Sequence, residues 1–191
     1  MQEKLAETDR MTVDEFLAFT EARPDGEIWE LIEGVAVMSP SPTEWHQTIC
    51  GNILYWLKNA KRMNRGITWR PMLGVGTRVP ISPKSLPRPD VFVKEGTATD
   101  SHVTSDALVI VEVLSRSNRA KDRAWRKRVY GSVPNCKHYV TISTKSAEVV
   151  RHDRSDGWKG KVFKGLDDEL TLSALDVNIP LREIYDDTPI N

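Results

Sequence analysis

The sequence predicts an α/β fold in which helices flank a mixed central β-sheet. Helical and β-type segments follow one another in the order helix, strand hairpin, helix, three strands, helix and further strands, which is typical of a layered α/β domain. The segment at 107–114, "ALVIVEVL", is apolar enough to be a central strand that is covered on both faces. The 191 residues are 39% hydrophobic and contain no internal repeat or linker. We therefore expect one domain over residues 1–191, with a flexible tail at 1–10.

The N-terminal elements are predicted to be a helix and a β-hairpin added to the core. Thr12 and Glu15 form the S/T-x-x-E pattern of a capping box at a helix start, and Pro24 follows where the helix should end. The segment at 28–39, "IWELIEGVAVMS", predicts two short strands that turn at Glu33-Gly34.

The middle and the end of the chain supply the core elements. A second helix is predicted from Trp45, where apolar residues recur at helical spacing. β-type alternation broken by glycines follows in "ITWRPMLGVGTRVPI", then the proline-rich turn "SPKSLPRP" and the strands "DVFVK" and "LVIVEVL". A basic helix should end near Gly131 and Pro134. "KHYVTIS" and "AEVVRHD" predict a hairpin, and short β-type pieces with an acidic end follow Gly157.

Composition limits the classes of function. Lys and Arg number 27 and Asp and Glu number 27, so a polyanion would have to bind at a local basic patch. No apolar run approaches the roughly 18 residues of a membrane span, and "MQEKLAETDR" lacks the apolar core of a signal peptide. Cys50 and Cys136 show no metal-ligand spacing, which favours reduced, packed thiols in a cytoplasmic protein.

Two acidic residues stand in apolar β-type surroundings. Asp90 directly precedes "VFV", and Glu112 lies inside "VIVEVL", on the strand face of Ile110 and Leu114. An ionised carboxylate there must be paired, hydrogen-bonded or bound to a cation. If the two strands are neighbours, both acids would converge on one spot, where oxygen ligands suit Mg²⁺ or Mn²⁺. Glu30 in "WELIEG" is a third candidate; the structural alternative is that arginines pair with all of these acids.

A dense basic run begins directly after the strand that holds Glu112. Asp122 is the only acid within it, and such local density on a neutral chain is typical of a phosphate-facing surface. The run comprises Arg116, Arg119, Lys121, Arg123, Arg126, Lys127, Arg128 and Lys137. The alternative is an ordinary solvated helix face.

The order of these motifs resembles a known nuclease pattern. "RPD" followed twenty-two residues later by "VEVLS", and then by a charged helix ending in Tyr, is similar to the PD-(D/E)XK nuclease superfamily. The resemblance is closer to the large bacterial family of putative restriction endonucleases, and it covers nearly the whole chain. The matching blocks are "MTVDEFLAF", "WELIEGVAVMSPSPTEWHQ", "PRPDVFV", "VIVEVLSRSNRAKDRAWRKRVY", "VPNCKHYVTIS" and "LDVNIPLREIY".

This resemblance implies a restriction-endonuclease-like core and assigns roles to individual residues. Asp90, Glu112 and the backbone carbonyl of Val113 would be metal ligands. Glu30 matches the glutamate of an "ELIDG"-like hairpin near the same pocket. His46 in "EWHQ" matches a histidine near the site, the alternative being a helix-start residue bonded to its loop.

The sequence departs from the family pattern at the lysine. Leu114 stands two residues after Glu112, where the superfamily has lysine. In the narrower family the lysine lies four residues after the position of Asp122, and Arg126 occupies that place here. Arginine can clamp phosphate with two hydrogen bonds but does not release its proton near neutral pH. Lys127 is adjacent, but one residue turns it about 100° around the helix.

The leading expectation is metal-dependent hydrolysis of DNA phosphodiesters, with Asp90 and Glu112 holding Mg²⁺ or Mn²⁺. Arg126, assisted by Lys127, would neutralise the charge on the phosphate. Flanking DNA phosphates would bind to the basic residues Arg116, Arg119, Lys121 and Arg123. A homodimer without a membrane segment is expected. The alternatives are a nucleic-acid-binding module that does not cleave, and a structural or interaction protein.

Overall fold

The structure, a computed structural model, describes residues 10–114 and 120–190, but not the side chains of 120 and 121. Residues 1–9 of the expected tail lie outside these ranges. The helices are α1 (Val13–Glu21), α2 (Glu44–Met63), α3 (Ala120–Tyr130) and α4 (Leu181–Ile184). The strands are β1 (Trp29–Ile32), β2 (Val35–Met38), β3 (Arg70–Leu73), β4 (Gly76–Thr77), β5 (Val91–Lys94), β6 (Val103–Thr104), β7 (Val109–Leu114), β8 (His138–Ser143), β9 (Glu148–Asp153), β10 (Gly160–Lys164), β11 (Glu169–Leu172) and β12 (Val177–Pro180).

A six-stranded mixed sheet forms the centre, in the order β10-β9-β8-β7-β5-β3. β7 and β8 pair in parallel, whereas β5 runs antiparallel to β7 and β9 runs antiparallel to β8. Parallel neighbours need a crossover connection, and α3 supplies it. The predicted fold class is confirmed, as are the β8–β9 hairpin and the central position of β7.

Side chains of β7 alternate between two apolar layers. Val109, Val111 and Val113 face the layer that contains α2 and the C-terminal elements. Ile110 faces the layer on the other side, together with Val129 from α3. Burial on both faces explains why the strand is an almost continuous apolar run. Glu112 has the same parity as Ile110, so its carboxylate lies on the α3 side of the sheet.

The N-terminal hairpin is fixed to the segment before β5. β1 and β2 turn at Glu33 and Gly34, which have φ values of 50° and 82°. Gly34 is required there because a Cβ would lie 2.5 Å from Cβ of Arg10. Leu31 and Leu86 exchange backbone hydrogen bonds of 3.4 and 2.8 Å, which place Glu30 of β1 beside the proline-rich turn.

The predicted helix starts are close to the observed ones. The Thr12–Glu15 capping box forms as expected. α2 begins at Glu44, one residue before the predicted start, with Thr43 as its N-cap. The β-type pattern predicted after Gly157 is incomplete, because residues 181–184 form the short helix α4. Within the described ranges, no helix is both long and apolar enough to span a bilayer.

Candidate active site

Strand register brings Asp90 and Glu112 together. β5 and β7 are antiparallel neighbours with Val91 opposite Val111, so one further step places Asp90 opposite Glu112. Asp90 Oδ2 accepts a hydrogen bond of 2.7 Å from the backbone N–H of Val113. Residues separated by twenty-two positions therefore share one end of two adjacent strands.

Glu112 lies in a nearly closed environment. The residue is 4% exposed, and its Oε1 accepts hydrogen bonds from the Tyr130 hydroxyl at 2.8 Å and from Arg126 Nη1 at 3.0 Å. Burial raises the pKa of Glu112 to about 8; Arg126 opposes this shift, while the charges of Asp90 and Glu30 add to it. A cation bound beside Glu112 would favour its carboxylate form.

Arg126 joins the hairpin to the central sheet. Its guanidinium donates to Glu30 through both nitrogens, at 3.0 Å to Oε1 and 2.6 Å to Oε2, in addition to the bond to Glu112. Glu30 is 7% exposed and also accepts a 2.7 Å hydrogen bond from the backbone N–H of Arg88. Burial disfavours the charge on Arg126, but the carboxylates of Glu112 and Glu30 outweigh it and raise the pKa of the guanidinium. Arg126 therefore remains a cation.

His46 faces Asp90 from the first turn of α2. Its Nε2 lies 3.3 Å from Asp90 Oδ2, and its backbone N–H donates to the Thr43 hydroxyl at 3.4 Å. His46 therefore lies beside Asp90 and also takes part in the start of α2. Burial lowers the pKa of His46, but the hydrogen bond and charge of Asp90, with help from Glu112 and the backbone of Val113, produce a net rise. His46 is therefore protonated more readily next to Asp90 than a free imidazole is.

Cys50 joins this cluster, although sequence reasoning gave it no role. Its Sγ lies 3.7 Å from His46 Nδ1, and ligand atoms of His46, Cys50 and Asp90 all fall within 4.8 Å of one another. The signal in the sequence was the i, i+4 spacing of His46 and Cys50 on a helix, which puts both on one face. Burial, reinforced by the charges of Asp90 and Glu112, raises the pKa of Cys50, so it is a neutral thiol.

These donors make two overlapping sets that share Asp90. The oxygens of Asp90 and Glu112 suit Mg²⁺ or Mn²⁺, whereas His46 and Cys50 suit softer transition metals. The oxygen set fits a hard divalent cation on one observation: the two carboxylates stand opposite each other on adjacent strands, and the cationic Arg126 already lies against one of them. Negative charge at this strand end thus requires a positive partner.

The basic run divides between the site and the surface. Arg126 points inward, Arg123 is exposed, Lys127 is half-buried, and Arg128 lies 4.0 Å from Glu33 of the hairpin turn. Arg116, Arg119 and the side chain of Lys121 lie outside the described residues, so their expected DNA contacts stay predictions.

Comparison with known families identifies the chain. Residues 13–182 match the model of the Uma2 family, described as "Putative restriction endonuclease". The chain belongs to the Uma2 family. The resemblance drawn from the six sequence blocks is thereby confirmed at the level of the family.

A solved structure similar to this Uma2 chain has the same fold. It is described as a putative nuclease belonging to DUF820 from Anabaena variabilis, and it superposes with a TM-score of 0.74 at 14% sequence identity. The match covers 92% of this chain and 97% of that one. At this identity the match shows a nuclease-like fold and leaves the roles of individual residues open. No curated protein matches the sequence.

Proposed function

We propose that this Uma2 protein hydrolyses phosphodiester bonds in DNA with Mg²⁺ or Mn²⁺ as cofactor. One observation carries the proposal: the β5–β7 register sets Asp90 opposite Glu112, and Arg126 donates to Glu112 beside them. The charge of Asp90 acts on Glu112 strongly enough to contribute to its raised pKa. Membership in a family of putative restriction endonucleases and the nuclease-like fold support the same reaction class.

Asp90, Glu112 and the carbonyl of Val113 would hold the cation. The bound cation would supply a water of lowered pKa and polarise a phosphoryl oxygen. Asp90 is oriented for this role by the N–H of Val113 and by His46, both of which contact its Oδ2.

Arg126 would stabilise the charge that develops on the nonbridging phosphate oxygens. Glu30 holds this guanidinium through two hydrogen bonds and thus fixes its orientation toward Glu112. Lys127, one residue on, would assist from the neighbouring side of the helix. We assign Glu30 and His46 as positioning residues of the same site.

Plasmid cleavage tests the proposal. Purified protein should nick or cut DNA with Mg²⁺ or Mn²⁺, and Asp90→Asn and Glu112→Gln should each abolish cutting, because each removes one anionic metal ligand. Asp25→Asn and Glu169→Gln make the same chemical changes at exposed positions and should cut like wild type. If the site variants cut as well as these controls, the site is wrong or a contaminant is responsible.

A second candidate function is DNA binding without cleavage. Arg126 is engaged by both Glu30 and Glu112, and Leu114 replaces the superfamily lysine, which favours a site that holds phosphate without turnover. DNA retention that falls with salt, together with no metal-dependent cutting, would select this function. Arg126→Lys, which restores the family residue, should then produce cleavage that wild type lacks.

A purely structural role is the remaining alternative, since each acid of the site has a cationic partner. Calorimetry that detects no Mn²⁺ binding to folded protein would favour it. We further propose that the chain acts as one domain and in the cytoplasm. We also propose a homodimer, because two-fold symmetric DNA favours a dimeric enzyme. Light scattering in solution tests the dimer.

A further inference from the structure

A cavity of about 250 Å³ lies on the α3 side of the central sheet, next to the candidate active site. Arg123 and Lys127 of α3 line it from one side. Tyr139 and Thr141 of β8 and His152 of β9 line the other. Thr141 is directly opposite Glu112 in the parallel β7–β8 pair, so the cavity floor is about 4.8 Å, one strand spacing, from the strand that carries Glu112.

Two cations of this cavity have no acidic partner among the described residues. Arg123 and Lys127 are four positions apart, which places them on one face of α3. Neither forms an ion pair with a described carboxylate, in contrast to Arg126 and Arg128 of the same helix. Asp122, the acid of this helix, is not among the residues that line the cavity. The cavity wall on this side therefore carries two cationic side chains that form no ion pair within the described ranges.

Tyr139 provides a second, independent indication of a ligand. Its side chain is 1% exposed, and its hydroxyl has no hydrogen-bond partner among the described residues. A buried hydroxyl without a partner is unfavourable, and such groups are rare in folded proteins. The ring itself is held firmly, because it stacks on His152 at 5.9 Å and packs against Tyr130 at 5.6 Å. A hydroxyl held in place without a partner is suited to donate to a bound acceptor.

We propose that this cavity is a subsite for a DNA backbone phosphate adjacent to the phosphate that is cleaved. The inference rests on the proposed function for the identity of the ligand. Arg123 and Lys127 supply positive charge and N–H donors. Tyr139 and Thr141 supply O–H donors. Phosphate oxygens accept hydrogen bonds from groups of both kinds. Glu112, on the strand next to the cavity, is paired with Arg126, which limits its repulsion of the ligand.

Fluorescence anisotropy with a short labelled DNA duplex in EDTA tests the subsite without any cleavage. Arg123→Ala and Lys127→Ala should each weaken binding about tenfold and reduce the salt dependence by about one counterion. Arg62→Ala and Lys58→Ala remove the same charges from exposed positions on α2 and should leave the affinity unchanged. Equal effects of site and control variants would show that net charge alone matters and would overturn the subsite.

Tyr139→Phe separates ligand binding from folding. Because the hydroxyl has no hydrogen-bond partner in the part of the chain that the structure describes, its removal should leave the melting temperature unchanged or higher, yet weaken DNA binding about tenfold. Loss of stability with unchanged affinity would overturn the assignment, since it would show that the hydroxyl serves the fold. Inorganic phosphate should compete only weakly with the DNA duplex. If free phosphate competed as effectively as DNA does, the cavity would be a small-anion site and not a DNA subsite.

The two proposals fail in different ways. If wild type cleaves DNA but the Arg123, Lys127 and Tyr139 variants bind it as wild type does, the subsite is refuted and the nuclease function stands. If no metal supports cleavage but binding depends on these three residues, the subsite stands and the nuclease function is refuted.

Discussion

Replacing Arg126 by methionine should destabilise the protein strongly, and more so at high pH. The guanidinium contacts Glu30 Oε2 at 2.6 Å and Glu112 Oε1 at 3.0 Å, and both carboxylates are less than a tenth exposed. Methionine keeps most of the volume but leaves two buried acids without their cation. Breaking a buried ion pair on one side costs about 3–5 kcal/mol of unfolding free energy. At about 2–4 °C per kcal/mol for a chain of this size, the melting temperature should fall by roughly 6–20 °C.

The pH dependence follows from proton binding. Without Arg126, which lowers the pKa of Glu112, this carboxylate should bind its proton more tightly in the folded variant than in folded wild type. Folded Arg126→Met therefore carries more protons relative to its unfolded state, so its stability relative to wild type declines as pH rises. The loss should be smaller at about pH 5 than at about pH 8.5.

Urea unfolding followed by tryptophan fluorescence measures this difference. Arg128→Met is the matched control: it lies on the same helix, but its contact to Glu33 is 4.0 Å and exposed, which predicts a change below about 1 kcal/mol. If both variants lost the same unfolding free energy, or if the loss for Arg126→Met did not vary with pH, the contacts of Arg126 with Glu30 and Glu112 would not be the source of this stability.

Three further predictions concern His138, Cys50 and Arg154. The Nδ1–H of His138 donates to Asp153 Oδ1 at 2.5 Å, and its Nε2 accepts from the N–H of Ala174. Burial lowers the pKa of His138 and so disfavours its protonation in the fold, and the free energy of unfolding should fall as pH drops below about 6.5, less so in His138→Gln, as urea titration would measure. Cys50→Ser should leave the Mn²⁺ affinity measured by calorimetry unchanged, because a buried neutral thiol is a poor ligand for a hard cation. A large loss of Mn²⁺ affinity would make Cys50 part of the metal site. Arg154 donates to the carbonyls of Cys136, Gly131 and Val133 after α3, so Arg154→Ala should lower the unfolding free energy by about 2–4 kcal/mol. A change under about 1 kcal/mol would contradict the view that these hydrogen bonds stabilise the fold.

Local patterns in the sequence were enough to define most of the elements. The Thr12–Glu15 capping box, the Glu33-Gly34 turn and the apolar run of β7 each depend on contacts within a few residues or on burial of a whole strand. Asp90 and Glu112 were recognisable for a similar reason: a carboxylate stands out in an apolar strand. α4 was not predicted, because four residues are too few for a helical period to show.

Only the tertiary structure decided how the charged residues pair. The crossover of α3 between β7 and β8 brings Arg126 over Glu112, and the bridge from Leu31 to Leu86 brings Glu30 to the same guanidinium. Sequence spacing cannot fix such pairs, since the chain holds 27 cationic and 27 acidic side chains and Coulomb attraction depends on distance in space. The sequence by itself identified Asp90 and Glu112 as the site acids, whereas strand order decided which side chains pair with them and where the adjoining cavity lies.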